Sequence, residues 1–161
     1  MSLHPTARRV QDALRALGCQ AQVIELGEST GTSQEAARAL GVEVGQIGKS
    51  LVFLADEKPI LVVASGANRV DTGKLGRIVG ATVRRADPDT VKVLTGFPVG
   101  GVPPVGHAQP MEIFIDQDIF QYDVLYCAGG TPHAIFPIAP QELLRITGGH
   151  VADIREERSR V

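Results

Sequence analysis

An α+β fold, a sheet packed against several short helices, is predicted from three features of the sequence. Hydrophobic residues make up 43% of the chain but aromatics only 4%, with no Trp. The core must therefore be built from Val, Ile, Leu and Ala, which suits β-branched strands packed on Ala- and Leu-rich helices. Apolar runs of strand length alternate with segments of helical spacing, and capping residues punctuate them. At 161 residues and 17.1 kDa the chain has the size of one compact domain with a real core, and a single domain over residues 1–161 is expected.

Val10, Leu14 and Leu17 at helical spacing, with Gly18 as a stop, predict a first helix over residues 5–17. Thr32 and Glu35 have capping-box spacing ahead of Ala36, Ala37, Ala39 and Leu40, and Gly41 ends this second helix. Ser50 to Leu54 and Ile60 to Ala64 read as antiparallel strands joined by Asp56-Glu57-Lys58-Pro59. A helix is predicted from Asp71 to Gly80, then a short strand from Ala81 to Arg85. The next helix has Asp87 as N-cap, Pro88 at its first position and Gly96 as its stop.

Gly96 to Pro110 holds four glycines and four prolines in fifteen residues, so it is expected to be a loop of fixed shape. Met111 to Ile115, Val124 to Cys127 and His133 to Ile138 read as strands, followed by a helix from Gln141 to Ile146 closed by Gly148-Gly149. The charged tail from Arg155 to Val161 is expected to be frayed or solvated.

Cys19 and Cys127 have no CxxC spacing and read as reduced thiols of an intracellular protein. Arg8, Arg9, Asp12 and Arg15 break any signal-peptide core, and no apolar run approaches the ~20 residues of a membrane span. A cytoplasmic protein with no membrane partner is expected. Net charge is -2, so no global positive field exists to hold DNA or a long nucleic-acid duplex, and any RNA contact should be local.

Gly48-Lys49-Ser50 resembles the end of a phosphate-binding loop, but Glu43 stands where the pattern needs glycine. The segment also follows a helix and opens a strand, the reverse of that motif's context. Lys49, at the entrance to Leu51-Val52-Phe53-Leu54, is either a snorkelling lysine or a cation beside a cleft. The loop Gly100-Gly101-Val102-Pro103-Pro104-Val105-Gly106 is either a crossover between core elements or an amide nest for an oxyanion. Gly129-Gly130-Thr131-Pro132-His133 breaks two strands and ends on a histidine, a residue more often structural than catalytic.

His4, His107, His133 and His150 include no pair at metal-ligand spacing, so neither a metal nor a cofactor is expected. Cys127 lies in an apolar run and reads as inert packing despite His133 nearby. Asp116, Asp118 and Asp123 read as caps and solvated charge at a turn. No Gly-x-Ser-x-Gly nucleophile elbow is present.

Taken in order, "GQIGKSLVF" around Lys49, "TGFPVGGVPPVGH" from Thr95 to His107 and "AGGTPHAIFPI" from Ala128 to Ile138 resemble the signature segments of the YbaK/prolyl-tRNA synthetase-associated family. The resemblance implies a mixed, barrel-like β-sheet flanked by helices and trans-editing of mischarged tRNA by a deacylase. A small amino acid such as Ala or Cys on tRNA(Pro) is the implied substrate. The 3′ terminal adenosine end is the implied point of contact, and a synthetase is an admissible partner.

Residue by residue, the resemblance gives Lys49, Gly100 and Gly101 catalytic roles and makes Thr32, Pro103, Pro104, Gly129, Gly130 and His133 substrate-binding. In it, Lys49 holds the phosphate and ribose of the adenosine, and the loop amides polarise the aminoacyl carbonyl while a positioned water attacks. The alternative from another class is a module that binds a nucleotide or aminoacyl end without turnover.

Overall fold

A computed structural model describes residues 2–157. Helix α1 (Pro5–Ala16) and strand β1 (Ile24–Glu25) lead to α2 (Ser33–Leu40), then the long hairpin β2 (Ile47–Ala55) and β3 (Lys58–Ser65). After α3 (Thr72–Val79), β4 (Val83–Arg85) and α4 (Pro88–Thr95) come β5 (Glu112–Asp116), β6 (Leu125–Ala128), β7 (Ala134–Ile138), α5 (Pro140–Thr147) and β8 (His150–Ala152). The eight strands form one mixed sheet ordered β1-β7-β6-β2-β3-β5-β8, with β4 paired to β2 off this path. This is the expected α+β class.

The helices start and stop where capping chemistry dictates. Thr32 and Glu35 form the capping box of α2, and Asp71 and Asp87 cap α3 and α4 by accepting the backbone N–H of Lys74 and Thr90. Gly41, Gly80, Gly96 and Gly148 close four helices in the left-handed conformation.

Three expectations need correction. The β2–β3 turn is only Asp56-Glu57: Ala55 pairs with Lys58 and Leu54 with Pro59, and Asp56 takes the positive φ that so short a turn requires. The tail is docked as far as Glu157: Arg155 bridges to Val70, the Glu156 N–H donates to the Arg69 carbonyl at 2.8 Å, and Lys74 Nζ donates to Glu157 Oε1 at 2.7 Å. The rest of that tail, residues 158–161, lies outside the described residues. Asp116 is not solvated charge but 1% exposed, and it caps the 3-10 turn over Gln117–Gln121. Asp123 is exposed as expected.

Strand β2 organises the molecule. Alternate residues feed two cores: Val52 and Leu54 join Leu14, Phe97 and Phe136, while Phe53 and Ala55 join Leu75, Phe114 and Ile154. One edge of β2 pairs with β3 from Gly48 to Ala55. The other edge is shared. Ile47 and Gly48 pair parallel with β6, and Phe53 to Ala55 pair antiparallel with β4. On that shared edge, residues Lys49 to Leu51 are left between β6 and β4 with no strand paired to them.

Candidate active site

That gap in the sheet opens a cavity of about 500 Å³, within the 300–1,000 Å³ range of small-molecule sites. Lys49, Ser50 and Leu51 lie along it, Arg85 and Tyr126 line it from the strands on either side, and Thr32 and Gly100 contribute from two loops. Among the described residues, no histidine, cysteine, aspartate or glutamate lines the cavity. Acid–base and covalent catalysis by those side chains are thus missing from it. What the cavity offers is two cations, Lys49 and Arg85, with hydroxyls and backbone amides.

Lys49 is half-buried and does not merely snorkel, because its Nζ donates to the Asn68 carbonyl at 2.7 Å. Burial lowers its pKa first, then the positive charges of Arg85 and Arg69, with Asp116 opposing them. Next to it, Ser50 Oγ is buried and has no hydrogen-bond partner among the described residues. A buried hydroxyl left unpaired is costly, and Ser50 is one of the residues lining the cavity.

The Gly/Pro-rich loop divides in two. Gly101 to Val105 are buried, and Gly101 is pressed so close to Gly130 that an added Cβ would lie 2.7 Å from the Gly130 carbonyl oxygen. The Gly101 N–H donates to the Pro98 carbonyl at 2.9 Å, so it is committed to the turn. Gly100, at φ 89°, packs on the Gly31 backbone and reaches the cavity, and its N–H has no partner among the described residues. The loop thus has a buried part, Gly101 to Val105, and Gly100 facing the cavity.

Gly101, Pro103, Pro104, Gly129, Gly130 and His133 are not among the lining residues. His133 is exposed, with Nδ1 hydrogen-bonded to the Glu28 carbonyl at 3.0 Å, and the Thr30 N–H and Oγ1 both donate to the Pro132 carbonyl. The 129–133 turn thus staples the segment that carries Gly31 and Thr32 to the cavity. Cys127 is fully buried and its thiol is pushed up to about 12 by that burial, which makes it inert at neutral pH.

A family model described as "Aminoacyl-tRNA editing domain" matches residues 27–146. The chain belongs to this editing-domain family. Editing is hydrolysis of the ester joining a wrong amino acid to its tRNA, so the chain is a hydrolase of the aminoacyl-tRNA ester bond. A solved structure described as a candidate trans-editing enzyme for prolyl tRNA synthetase is 51% identical, covers 97% of this chain and 100% of its own, and superposes with a TM-score of 0.92. YwhH of Bacillus subtilis (strain 168) is 32% identical over 75% of this chain and 78% of its own length. EbsC of Enterococcus faecalis (strain ATCC 700802 / V583), named as a candidate Cys-tRNA(Pro)/Cys-tRNA(Cys) deacylase, is 26% identical over 76% of each.

Within an editing domain, the residues that sequence reasoning missed acquire a place. Ser50, Arg85 and Tyr126 line the cavity, and nothing in the local sequence marks Arg85 or Tyr126. Ser50 alone had a signal, since it follows Lys49 at the strand entrance.

Proposed function

We propose that this editing domain deacylates, in trans, tRNA(Pro) mischarged with a small amino acid such as Ala or Cys, and that the whole chain acts as one editing unit in the cytoplasm. One observation carries the reading: the cavity is lined by Lys49, which bears an ammonium, by Ser50 and by Gly100 with its unengaged amide, and among the described residues no histidine, cysteine, aspartate or glutamate lines it. An aminoacyl ester is already activated, so positioning and electrostatic stabilisation suffice.

In this reading Lys49 takes the phosphate and ribose of the 3′ terminal adenosine, a role that suits a compact ammonium. The Gly100 N–H polarises the ester carbonyl, and Ser50 Oγ hydrogen-bonds the aminoacyl part. Water adds to the carbonyl carbon, and collapse breaks the bond to the ribose oxygen, which leaves with a proton as the free hydroxyl. Gly101, Pro103, Pro104, Gly129, Gly130 and His133 serve by holding Gly100, Gly31 and Thr32 in place. The names of the similar proteins, which mention prolyl-tRNA synthetase and Cys-tRNA(Pro), support the substrate. A small acyl group also explains why a second sieve is needed, since pocket discrimination of one methylene is worth only ~1–3 kcal/mol.

The test is steady-state deacylation of Ala-tRNA(Pro) and Cys-tRNA(Pro) by the wild type and by Lys49→Ala. Loss of turnover in a folded variant supports the assignment. Full activity of Lys49→Ala refutes it, and saturable binding by the wild type without turnover points to a non-catalytic module.

A further inference from the structure

The Lys49 ammonium is the end of a hydrogen-bonded chain whose other members do not line the cavity. Its acceptor is the backbone carbonyl of Asn68, a residue only 9% exposed. The side-chain amide of Asn68 donates to Asp116 Oδ2 at 2.9 Å and to Asp118 Oδ2 at 2.8 Å, so its two protons are taken by two carboxylates. Asp116 also accepts the Ser65 N–H at 3.1 Å and the Asp118 N–H at 3.0 Å. Asp118 Oδ2 accepts Arg155 Nη1 at 2.9 Å. Arg155 reaches that point from a docked segment, in which the Ile154 carbonyl accepts the Asp71 N–H and the Glu156 N–H donates to the Arg69 carbonyl, both at 2.8 Å.

A buried carboxylate such as Asp116 is a poor way to gain stability, because desolvation offsets most of what its partners return. What the network does fix is geometry. Two carboxylates this close repel each other, and the Asn68 amide between them and Arg155 beyond them hold the arrangement together. The product is a turn from Ser65 to Asn68 tied at several points, among them Ser65 Oγ donating to the Gly45 carbonyl at 2.8 Å. Lysine is long and flexible, so its ammonium is useful for positioning only if its acceptor does not move.

We infer that Asn68 is a positioning residue of the editing site: clamped by Asp116 and Asp118, it fixes the carbonyl that aims Lys49 Nζ, and Arg155 closes the clamp from the C-terminal segment. The inference rests on the role proposed for Lys49.

The test compares wild type, Asn68→Ala, Arg155→Ala and Arg155→Lys in the full chain. It reads kcat and KM on the mischarged tRNA, thermal stability, and titration of Lys49 by NMR of its labelled Cε. The charged groups facing Lys49 are Arg85, Arg69 and Asp116, and all three are retained in every variant. Asn68→Ala is expected to lose about 10- to 100-fold in kcat/KM, with Lys49 titrating at lower pH because its carbonyl acceptor is no longer held in place. Arg155→Ala should lose less, and Arg155→Lys should regain most of it.

Wild-type kcat/KM in both alanine variants overturns the inference. So does a loss that merely tracks the unfolded fraction while the Lys49 titration stays put. An active Lys49→Ala would remove the role of Lys49 itself, whereas an inactive Lys49→Ala beside fully active Asn68→Ala and Arg155→Ala would remove only the clamp.

Discussion

Lys49 and Ser50 stand side by side and carry opposite costs for the fold. The Lys49 ammonium is penalised by burial and by Arg85 and Arg69, so Lys49→Ala should leave thermal stability nearly unchanged. Deacylation should fall by about 100-fold or more, the order seen when a preorganised electrostatic group is removed. In the role proposed for Lys49 the protonated form is the one required. Because its pKa lies below 10.5, the Lys49-dependent part of the rate should decline on the alkaline side before a free lysine would titrate, and a rate profile against pH in wild type and Lys49→Arg would show it. Ser50 pays with an unpaired buried oxygen. Ser50→Ala is expected to raise stability by up to about 1 kcal/mol while weakening substrate binding, as read by a melting curve and KM together. A variant that loses both would show Ser50 Oγ to be a structural group.

Lys49 was legible in the sequence because a cation at the mouth of an apolar strand is conspicuous. Arg85 and Tyr126 were not, since their importance comes from lying on strands that share one edge of β2 at different points. Asp116 was misread for a related reason. A carboxylate in a turn-rich segment is usually solvated, and its burial depends on Ser65 and Asn68 arriving from a distant hairpin.

At the scale of elements, the loop from Gly96 to Gly106 is held from both ends. Gly101 lies against the backbone of Gly130, so Gly101→Ala must displace main chain and should cost about 1–3 kcal/mol, measurable by denaturant unfolding. If stability is unchanged, the loop is looser than this packing implies. His107 Nε2 contacts the Pro103 carbonyl at 2.7 Å, and burial lowers the ring's pKa below 6.5. The unfolded chain therefore binds the proton first on acidification. This stability is present above pH 6.5 and is lost as pH falls through the depressed folded value, and His107→Gln should flatten that part of the pH–stability curve.

Capping residues made the helices readable: Thr32 with Glu35, Asp87 with Pro88, and the terminal glycines act over a few residues, so their meaning is local. Strands β1 and β8, two and three residues long, have no periodicity to read. They exist because longer strands offer them an edge. The loop's division into a buried half and a cavity half was equally out of reach, because it depends on contact with Gly31 and Gly130.

For the molecule as a whole, mixed pairing around β2 is what creates the site. Had β4 and β6 met along that edge, Lys49 and Ser50 would lie under a continuous sheet. The α+β class followed from composition and alternating patterns, and the three quoted segments pointed to the editing family, whereas the open edge followed from neither. None of the helices among the described residues is long and apolar enough to cross a membrane.

The most direct test of the central claim is release of labelled amino acid from alanyl-, cysteinyl- and seryl-tRNA(Pro), run beside correctly charged prolyl-tRNA(Pro), with wild type and Lys49→Ala. Rapid loss of alanine or cysteine by the wild type, with prolyl-tRNA(Pro) spared and Lys49→Ala inactive, is the predicted result. Hydrolysis of prolyl-tRNA(Pro) at the same rate, or no release from any mischarged species at high enzyme concentration, would contradict it.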